Sequence, residues 1–581
     1  MNAPKPAGPT RAARQLHTTP ASAPRANWPV LISSVTLIVA LAVWAVVAPE
    51  RADEVIGAMV AWVASHFGWY YVAIAGVVVA FVAYLLFSRA GRIKLGPDDS
   101  KPTFNLFTWT AMLFAAGIGI DLMFFSVSEP VAQYLYPPVG EGMDTAAAKQ
   151  AIVWTLFHYG PVGWAMYAVM GGAFAFFAYR KNQPLSIRSL MRPILKKRAD
   201  GWLGNLIDTI AVLGTIFGIA TSLGIGVVQL AYGLHVLAGV PENIATYIWL
   251  IVFSVAMATA STVSGVEKGI RRLSEANVIV VIVMLAWIVL WGETRRILEA
   301  FVMNIGDFLT TFPSLLLETH AWDRPDAWSQ DWTLFFWAWW IAWAPFVGLF
   351  LARISRGRTL REFVVGVMVI PFLYIALFVV VLGNSALELV IGGDLAFADT
   401  AVNLPERAFF DLLGTYPGSS MLVAVALAAG LLLYVTSADS GALVLSGLSS
   451  KIENNSQDGG KPLRIVWSVA TGVLTLAMLI VGGVSTLQQA TVIIGLPFSI
   501  VLIMVMVSFY RSLKSTVDMP PGGVTTGGTT GDGPDRTDQA EAPVSARARA
   551  LTTEVAGSTP EEHVADSSTN ATNPPHTATH N

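Results

Sequence analysis

Twelve stretches of the chain are apolar for about 20 residues at a time, and each is long enough to cross a hydrocarbon layer of about 30 Å as a helix. They are 29–47, 69–87, 104–127, 148–178, 203–234, 244–263, 276–291, 332–352, 363–383, 419–446, 465–483 and 490–510. In lipid a spanning segment must satisfy its backbone N–H and C=O groups internally, so the expected fold class is an all-α polytopic membrane protein. Composition agrees, since 54% of the 581 residues are hydrophobic and 13% are charged, too apolar a balance for a soluble chain of this length. The chain has no cysteine, which excludes thiolate metal sites, disulfides and cysteine nucleophiles.

Charge then orients the spans. An even number of crossings puts both tails on one side, and residues 1–27, with Lys5, Arg11, Arg14 and Arg25 and no acid, read as a cytoplasmic tail and not a signal peptide. The loops this assigns inside carry Arg89, Arg92 and Lys94; seven cations from Arg180 to Arg198; Lys268, Arg271 and Arg272; and Arg353, Arg356, Arg358 and Arg361. Those assigned outside are poor in cations: 129–145 has none, and 387–415 has Arg407 alone against Glu388, Asp394, Asp399, Glu406 and Asp411, as the positive-inside rule requires. Residues 293–330, which mix apolar with charged side chains, are expected to form an amphipathic helix on the outer surface, with Arg295, Arg296 and Arg324 as exceptions to the charge rule. The membrane domain is expected over 28–514, and residues 515–581, rich in Gly, Thr, Asp and Pro, are expected to be a disordered cytoplasmic tail.

Polar residues inside spans locate the chemistry, because substrate sites in transporters lie near the bilayer midplane where helices are interrupted. The third span contains "AAGIGIDLMFF", with Gly117 and Gly119 beside Asp121. The glycines either break the helix or permit close packing. A mid-span carboxylate costs about 2.5–3.5 kcal/mol on insertion scales and has no cation in its own span, so Asp121 is expected to face a cavity. There it serves as counter-charge to a cationic substrate or as a proton carrier, unless it is held by neighbouring helices for structure alone.

The eighth span opens "DWTLFFWAWWIAWAPF". At about 100° per residue, Trp339, Trp340 and Trp343 share one face, with Trp337 at its edge and Trp332 in an interfacial position. Indole faces attract cations, and aromatic cages receive quaternary ammonium groups, which offer no hydrogen-bond donor. The fourth span, "FHYGPVGWAMYA", offers a second wall in Tyr159, Trp164 and Tyr167 around Gly160, Pro161 and Gly163, residues that loosen a helix. His158, the one histidine in a span core, either joins a proton path or bonds to a neighbouring helix. In the tenth span, Thr436, Ser437, Asp439 and Ser440 offer hard oxygens to a sodium ion or bonds between helices. Thr221 and Ser222 of the fifth span read as packing. The spans hold no paired metal-spaced histidines, no Ser/His/Asp arrangement and no phosphate loop, so an enzyme is not expected, while a non-transporting receptor or a channel for quaternary amines stays open.

The run "DWTLFFWAWWIAWAPFVGLFLARISRGRTLREF" resembles the signature of the betaine/carnitine/choline transporter family, and "GIGID", the fourth-span aromatics and "TSADS" follow in the family's order, over about 28–514. The resemblance implies a LeuT-like fold of two inverted five-helix repeats, about 104–292 and 332–510, preceded by two extra helices, in a homotrimer of the inner membrane. It implies a substrate box of Trp339, Trp340, Trp343, Trp164 and Tyr167, with Tyr159 where sodium-coupled betaine carriers have tryptophan. Asp121 stands where those carriers have glycine and matches the proton-coupled choline carriers. A carboxylate there attracts choline and repels betaine, which carries its own. Thr436 and Ser437 match the family's second sodium site, with Leu433 in place of an aromatic ligand. Pro520 and Pro521 follow Arg511 and Lys514 closely, unlike the basic terminal helix of osmosensing members. The expectation is choline import by proton symport, with osmoprotective use, no cofactor beyond the coupling ion (H+, or else Na+), the lipid bilayer and no nucleic acid as partner. The alternative is sodium-coupled betaine import.

Overall fold

A computed structural model describes residues 24–116, 119–264, 267–454 and 457–518. Each expected span falls on one or more helices among the described residues. The helices are α1 (Trp28–Val47), α2 (Pro49–Phe87), α3 (Leu106–Ala116), α4 (Ile120–Leu135), α5 (Thr145–Tyr159), α6 (Pro161–Ala175), α7 (Ile187–Leu195), α8 (Trp202–Ala238), α9 (Ile244–Ser264), α10 (Glu267–Trp291), α11 (Thr294–Leu315), α12 (Asp326–Ser329), α13 (Phe335–Ile354), α14 (Leu360–Ile391), α15 (Leu395–Asn403), α16 (Pro405–Gly414), α17 (Ser419–Leu448), α18 (Lys461–Gly482) and α19 (Val484–Val517). Among the described residues ten helical stretches are long and apolar enough to cross a membrane, rising to eleven with one bent pair. Of the twelve expected, the third is divided between α3 and α4, and the seventh is counted only through the bent pair Asn277–Trp291 and Thr294–Leu315, which turn by 115°. Both tails beyond 24–518, and Gly117, lie outside the described residues.

Local chemistry sets several of these boundaries. Pro at the first helical turn opens α1, α2, α6, α16 and α18, where its missing N–H would have had no partner. Asp144 caps α5 by accepting from the Ala147 amide at 2.7 Å. Thr359 and Glu362 form a reciprocal capping box at the start of α14. Gly160 separates α5 from α6, as the Gly-Pro pair predicts. After the bend, α11 buries the stripe Ile297, Ala300, Asn304 and Phe308 and exposes Leu298, Val302 and Leu309.

Contacts between loops respect the alternation of sides. Leu95 donates to the Arg358 carbonyl at 2.8 Å, Leu360 to that of Ile93 at 2.8 Å, and Arg361 Nε to that of Leu86 at 2.7 Å, joining the loops after the second and eighth spans. Asn27 donates to the Ser449 carbonyl at 2.8 Å, tying the segment before α1 to the loop after the tenth span. On the other face, Arg296 meets Glu388 at 3.5 Å and Arg407 meets Glu242 at 3.0 Å. Each pairing links loops that the charge pattern puts on one side.

Candidate functional site

The break in the third span makes a helix N-terminus inside the bundle. Gly119 is the extended residue before α4, and a Cβ there would collide with the Asp121 carboxylate, so glycine lets that side chain fold back over the start of its own helix. Asp121 sits in the first turn, where free backbone N–H groups and the helix dipole favour negative charge. Ser222 of α8, expected to serve packing alone, lies beside the carboxylate with its hydroxyl buried. The hydroxyls of Tyr159 and Tyr167 are near enough to feel the Asp121 charge.

Around this point the structure gathers most of the aromatic residues singled out in the sequence. Trp339 and Trp340 stack with centroids 5.0 Å apart and planes 11° from parallel. Trp340 is met edge-on by Tyr159 at 5.3 Å and by Tyr167 at 6.1 Å, and Trp164 closes on Tyr167 at 5.4 Å and 88°. Trp343 meets Trp339 edge-on at 6.4 Å, and its buried Nε1 has no partner among the described residues. Two indoles are pinned through their N–H groups: Trp339 donates to the Gly218 carbonyl at 3.2 Å and Trp340 to that of His158 at 2.7 Å. Gly163 permits α6 to press directly on the Trp340 ring. Trp340 and Asp121 keep only 7% and 8% exposure, while Trp343 is half-buried.

Other candidates lie elsewhere. Trp337 is buried against Phe157 at 5.1 Å and His158 at 6.0 Å, on the α5 side and not in the box. Trp332 rests edge-on to Phe125 at 6.3 Å. Helix α17 runs unbroken through Thr436 and Ser437, and the Thr436 hydroxyl donates to the Leu433 carbonyl of its own helix at 3.1 Å. Asp439 accepts from Ser261 at 3.1 Å. Among the described residues no group of three or more His, Asp or Glu could hold a metal ion.

Phe125 and Phe336 are members that sequence reasoning missed. Phe125 lies 6.0 Å from Trp339 and 5.9 Å from Tyr159, and Phe336 lies 5.7 Å from Trp340. Phe125 is four residues beyond Asp121, hence on the same helix face, which was a usable signal. The arrangement brings aromatic faces and edges together near one carboxylate at a helix N-terminus, groups that attract cations.

The sequence matches the family model described as BCCT, betaine/carnitine/choline family transporter, over residues 29–518. The high-affinity choline transport protein of Escherichia coli (strain K12) is 54% identical over 459 residues, covering 79% of this chain and 68% of that protein. The osmo-dependent choline transporter BetT2 of Acinetobacter baylyi is 51% identical over 491 residues, 84% of this chain and 72% of that protein. A glycine betaine transporter of the same organism is 36% identical over 486 residues, 84% and 73% of the two chains.

Proposed function

Because the chain belongs to the betaine/carnitine/choline transporter family, and is therefore a multi-pass membrane transporter, we propose that it imports choline across the inner membrane in symport with protons. The observation that carries this reading is Asp121, a buried carboxylate at the N-terminus of α4 beside the aromatic box. Choline offers a trimethylammonium head and a neutral hydroxyl. The head fits among Trp339, Trp340, Trp343, Trp164, Tyr167 and Tyr159, where ring quadrupoles contribute about 0.5–2 kcal/mol each when desolvated. Asp121 pairs with the charge and disfavours betaine, whose own carboxylate would sit against it.

In the proton cycle the protonation of Asp121 is coupled to alternating access, because its contact with water changes with the side to which the box opens. This supports an uphill, osmoprotective use of choline in a protein with both tails cytoplasmic, working as a homotrimer. The names of the 54% and 51% identical relatives favour choline over betaine as substrate.

Radiolabelled choline uptake into proteoliposomes tests it, with an inward pH gradient and no sodium. Concentrative uptake abolished by a protonophore is the expected result. Uptake that requires a sodium gradient overturns proton coupling and moves the coupling role toward Thr436 and Ser437. Binding without accumulation overturns transport itself.

A further inference from the structure

One buried polar cluster has no part in the box. Glu129 and His158 both have 0% exposure, and His158 Nδ1 lies 2.5 Å from Glu129 Oε1. His158 Nε2 lies 2.9 Å from Thr333 Oγ1. Gln133 Nε2 donates to Glu129 Oε1 at 3.5 Å, and Trp328 Nε1 donates to Gln133 Oε1 at 2.7 Å. Glu129 Oε2 has no hydrogen-bond partner among the described residues. A carboxylate with a bare oxygen in apolar surroundings is costly unless it is neutral or paired with a cation. Its charge partner here is His158, so the cluster is neutral when it keeps one proton, shared between Nδ1 and Oε1.

Two links give that proton a use. Thr333 lines a cavity of about 210 Å³ together with Trp154, Trp328 and the charged Glu318, Arg324 and Asp326, on the face that the loop charges assign to the outside. In the other direction, the His158 carbonyl holds the Trp340 indole at 2.7 Å, and the His158 ring stacks on Phe336 at 4.9 Å and 8°. One residue thus touches both the cavity-facing hydroxyl and the wall of the box.

We propose that Glu129 and His158 form a second proton-holding site, filled from the outer cavity through the Thr333 hydroxyl, whose protonation state sets the position of Trp340. The inference rests on proton coupling as read above. On release, the Thr333 hydroxyl gives its proton to a cavity water and takes the one on His158 Nε2. His158 is left neutral with Nδ1–H donated to the Glu129 carboxylate, and the cluster has lost one positive charge to the water. Filling is the reverse.

The titratable groups facing the pair are few. On α5, Tyr159 adjoins His158 and Lys149 pairs with Asp307 of α11 at 3.4 Å; Asp121 lies eight residues before Glu129 on α4, Asp331 stands two residues before Thr333, and His320 lines the cavity with its ring 6.3 Å from Trp154. The charged groups of the helices packed on α4 are occupied elsewhere: Glu388 with Arg296, Asp399 with Asn403, Arg407 with Glu242 and Asp411 with Tyr232. Glu406 lies in the first turn of α16.

The test compares wild type, Glu129→Gln and Thr333→Val in proteoliposomes. Two modes are read: choline exchange at equal concentration on both sides, which needs no net proton flow, and accumulation driven by a pH gradient. Choline affinity is also followed from about pH 5 to about pH 8. Both variants should keep exchange and lose accumulation, and the proton–choline coupling, about 5–150-fold where two sites communicate, should fall toward unity. A purely structural role would lower exchange and accumulation together and leave the pH profile in place, which would overturn the inference. Thr333→Val removes only a hydroxyl and decides alone where Glu129→Gln fails to assemble: unchanged accumulation and pH profile in it refutes the second site. If wild type itself accumulates choline only with sodium, the parent reading falls, a result distinct from either variant matching a proton-driven wild type.

Discussion

Replacing Gly163 by alanine tests whether the place of one ring controls substrate binding. A Cβ at this position would stand 2.8 Å from Cδ1, 2.9 Å from Cγ and 3.0 Å from Nε1 of Trp340. Carbon contacts relax at about 3.5–4.0 Å, so the indole must retreat by about 0.7 Å or α6 must move off α13. The Trp340 N–H bond to the His158 carbonyl, now 2.7 Å, would then stretch to about 3.4 Å, past the usual range for N–H···O bonds. Loss of that bond costs about 1 kcal/mol and overpacking about 1–3 kcal/mol. If only about 1.4 kcal/mol of this falls on the bound state, choline affinity drops about tenfold. Equilibrium binding of radiolabelled choline to the purified protein measures it. Gly306→Ala is the control, since a Cβ there meets nothing within 4 Å. Wild-type affinity in Gly163→Ala would show that Trp340 does not shape the substrate site.

Three further outcomes are expected. Asp121→Gly should weaken choline binding and narrow the preference for choline over betaine, read by competition; an unchanged preference removes Asp121 from selectivity. Thr359→Ala, which breaks the capping box of α14, should cost about 0.5–2 kcal/mol, seen as a lower thermal midpoint in detergent. An unaltered midpoint would mean that tertiary packing alone holds that helix end. Asp98, in a loop outside the spans, is held below the ordinary carboxylate range by the Arg180 guanidinium at 2.7 Å. Stability from a carboxyl lowered in the folded state is present above its unfolded pKa and is lost as pH falls through the folded value. The Asp98 side chain is 85% exposed, so Asp98→Asn should cost well under about 1 kcal/mol at neutral pH, and the difference from wild type should vanish in acid and in high salt. A difference that grows in acid would refute the pairing.

The spans were legible because hydropathy over about 20 residues answers to one dominant force, the exclusion of polar backbone from lipid. The interruption before α4 and the division at Gly160 were legible for a related reason: glycine and proline mid-span act on the backbone directly and need no knowledge of neighbours. Spacing on one helix groups Trp339, Trp340 and Trp343 on a face and puts Trp337 at its edge. Structure turns Trp337 toward Phe157 and His158. Angle on a wheel states which residues share a side, whereas the packing of α5 and α6 against α13 decides where one lining ends and the next begins.

Glu129 shows what spacing cannot reach. A carboxylate followed by Pro130 at the close of an apolar run looks like the end of a span, and residues 129–145 were accordingly placed in an outer loop. The helix continues through Pro130 to Leu135 and leaves Glu129 fully buried. Its partner, His158, is 29 residues away and Thr333 a further 175. Nothing local in the chain reports that α4, α5 and the turn before α13 converge there. Proline at position 130 is tolerable because it removes a single backbone donor, and His158, with Gln133 donating to the same carboxylate oxygen, compensates the charge of an acid that lipid would otherwise expel. Burying that acid is therefore conditional on the convergence of three elements. A change that opens any one of them exposes the pair to water, which is the property a proton site needs if it is to fill on one side of a transport cycle and stay shut for the rest.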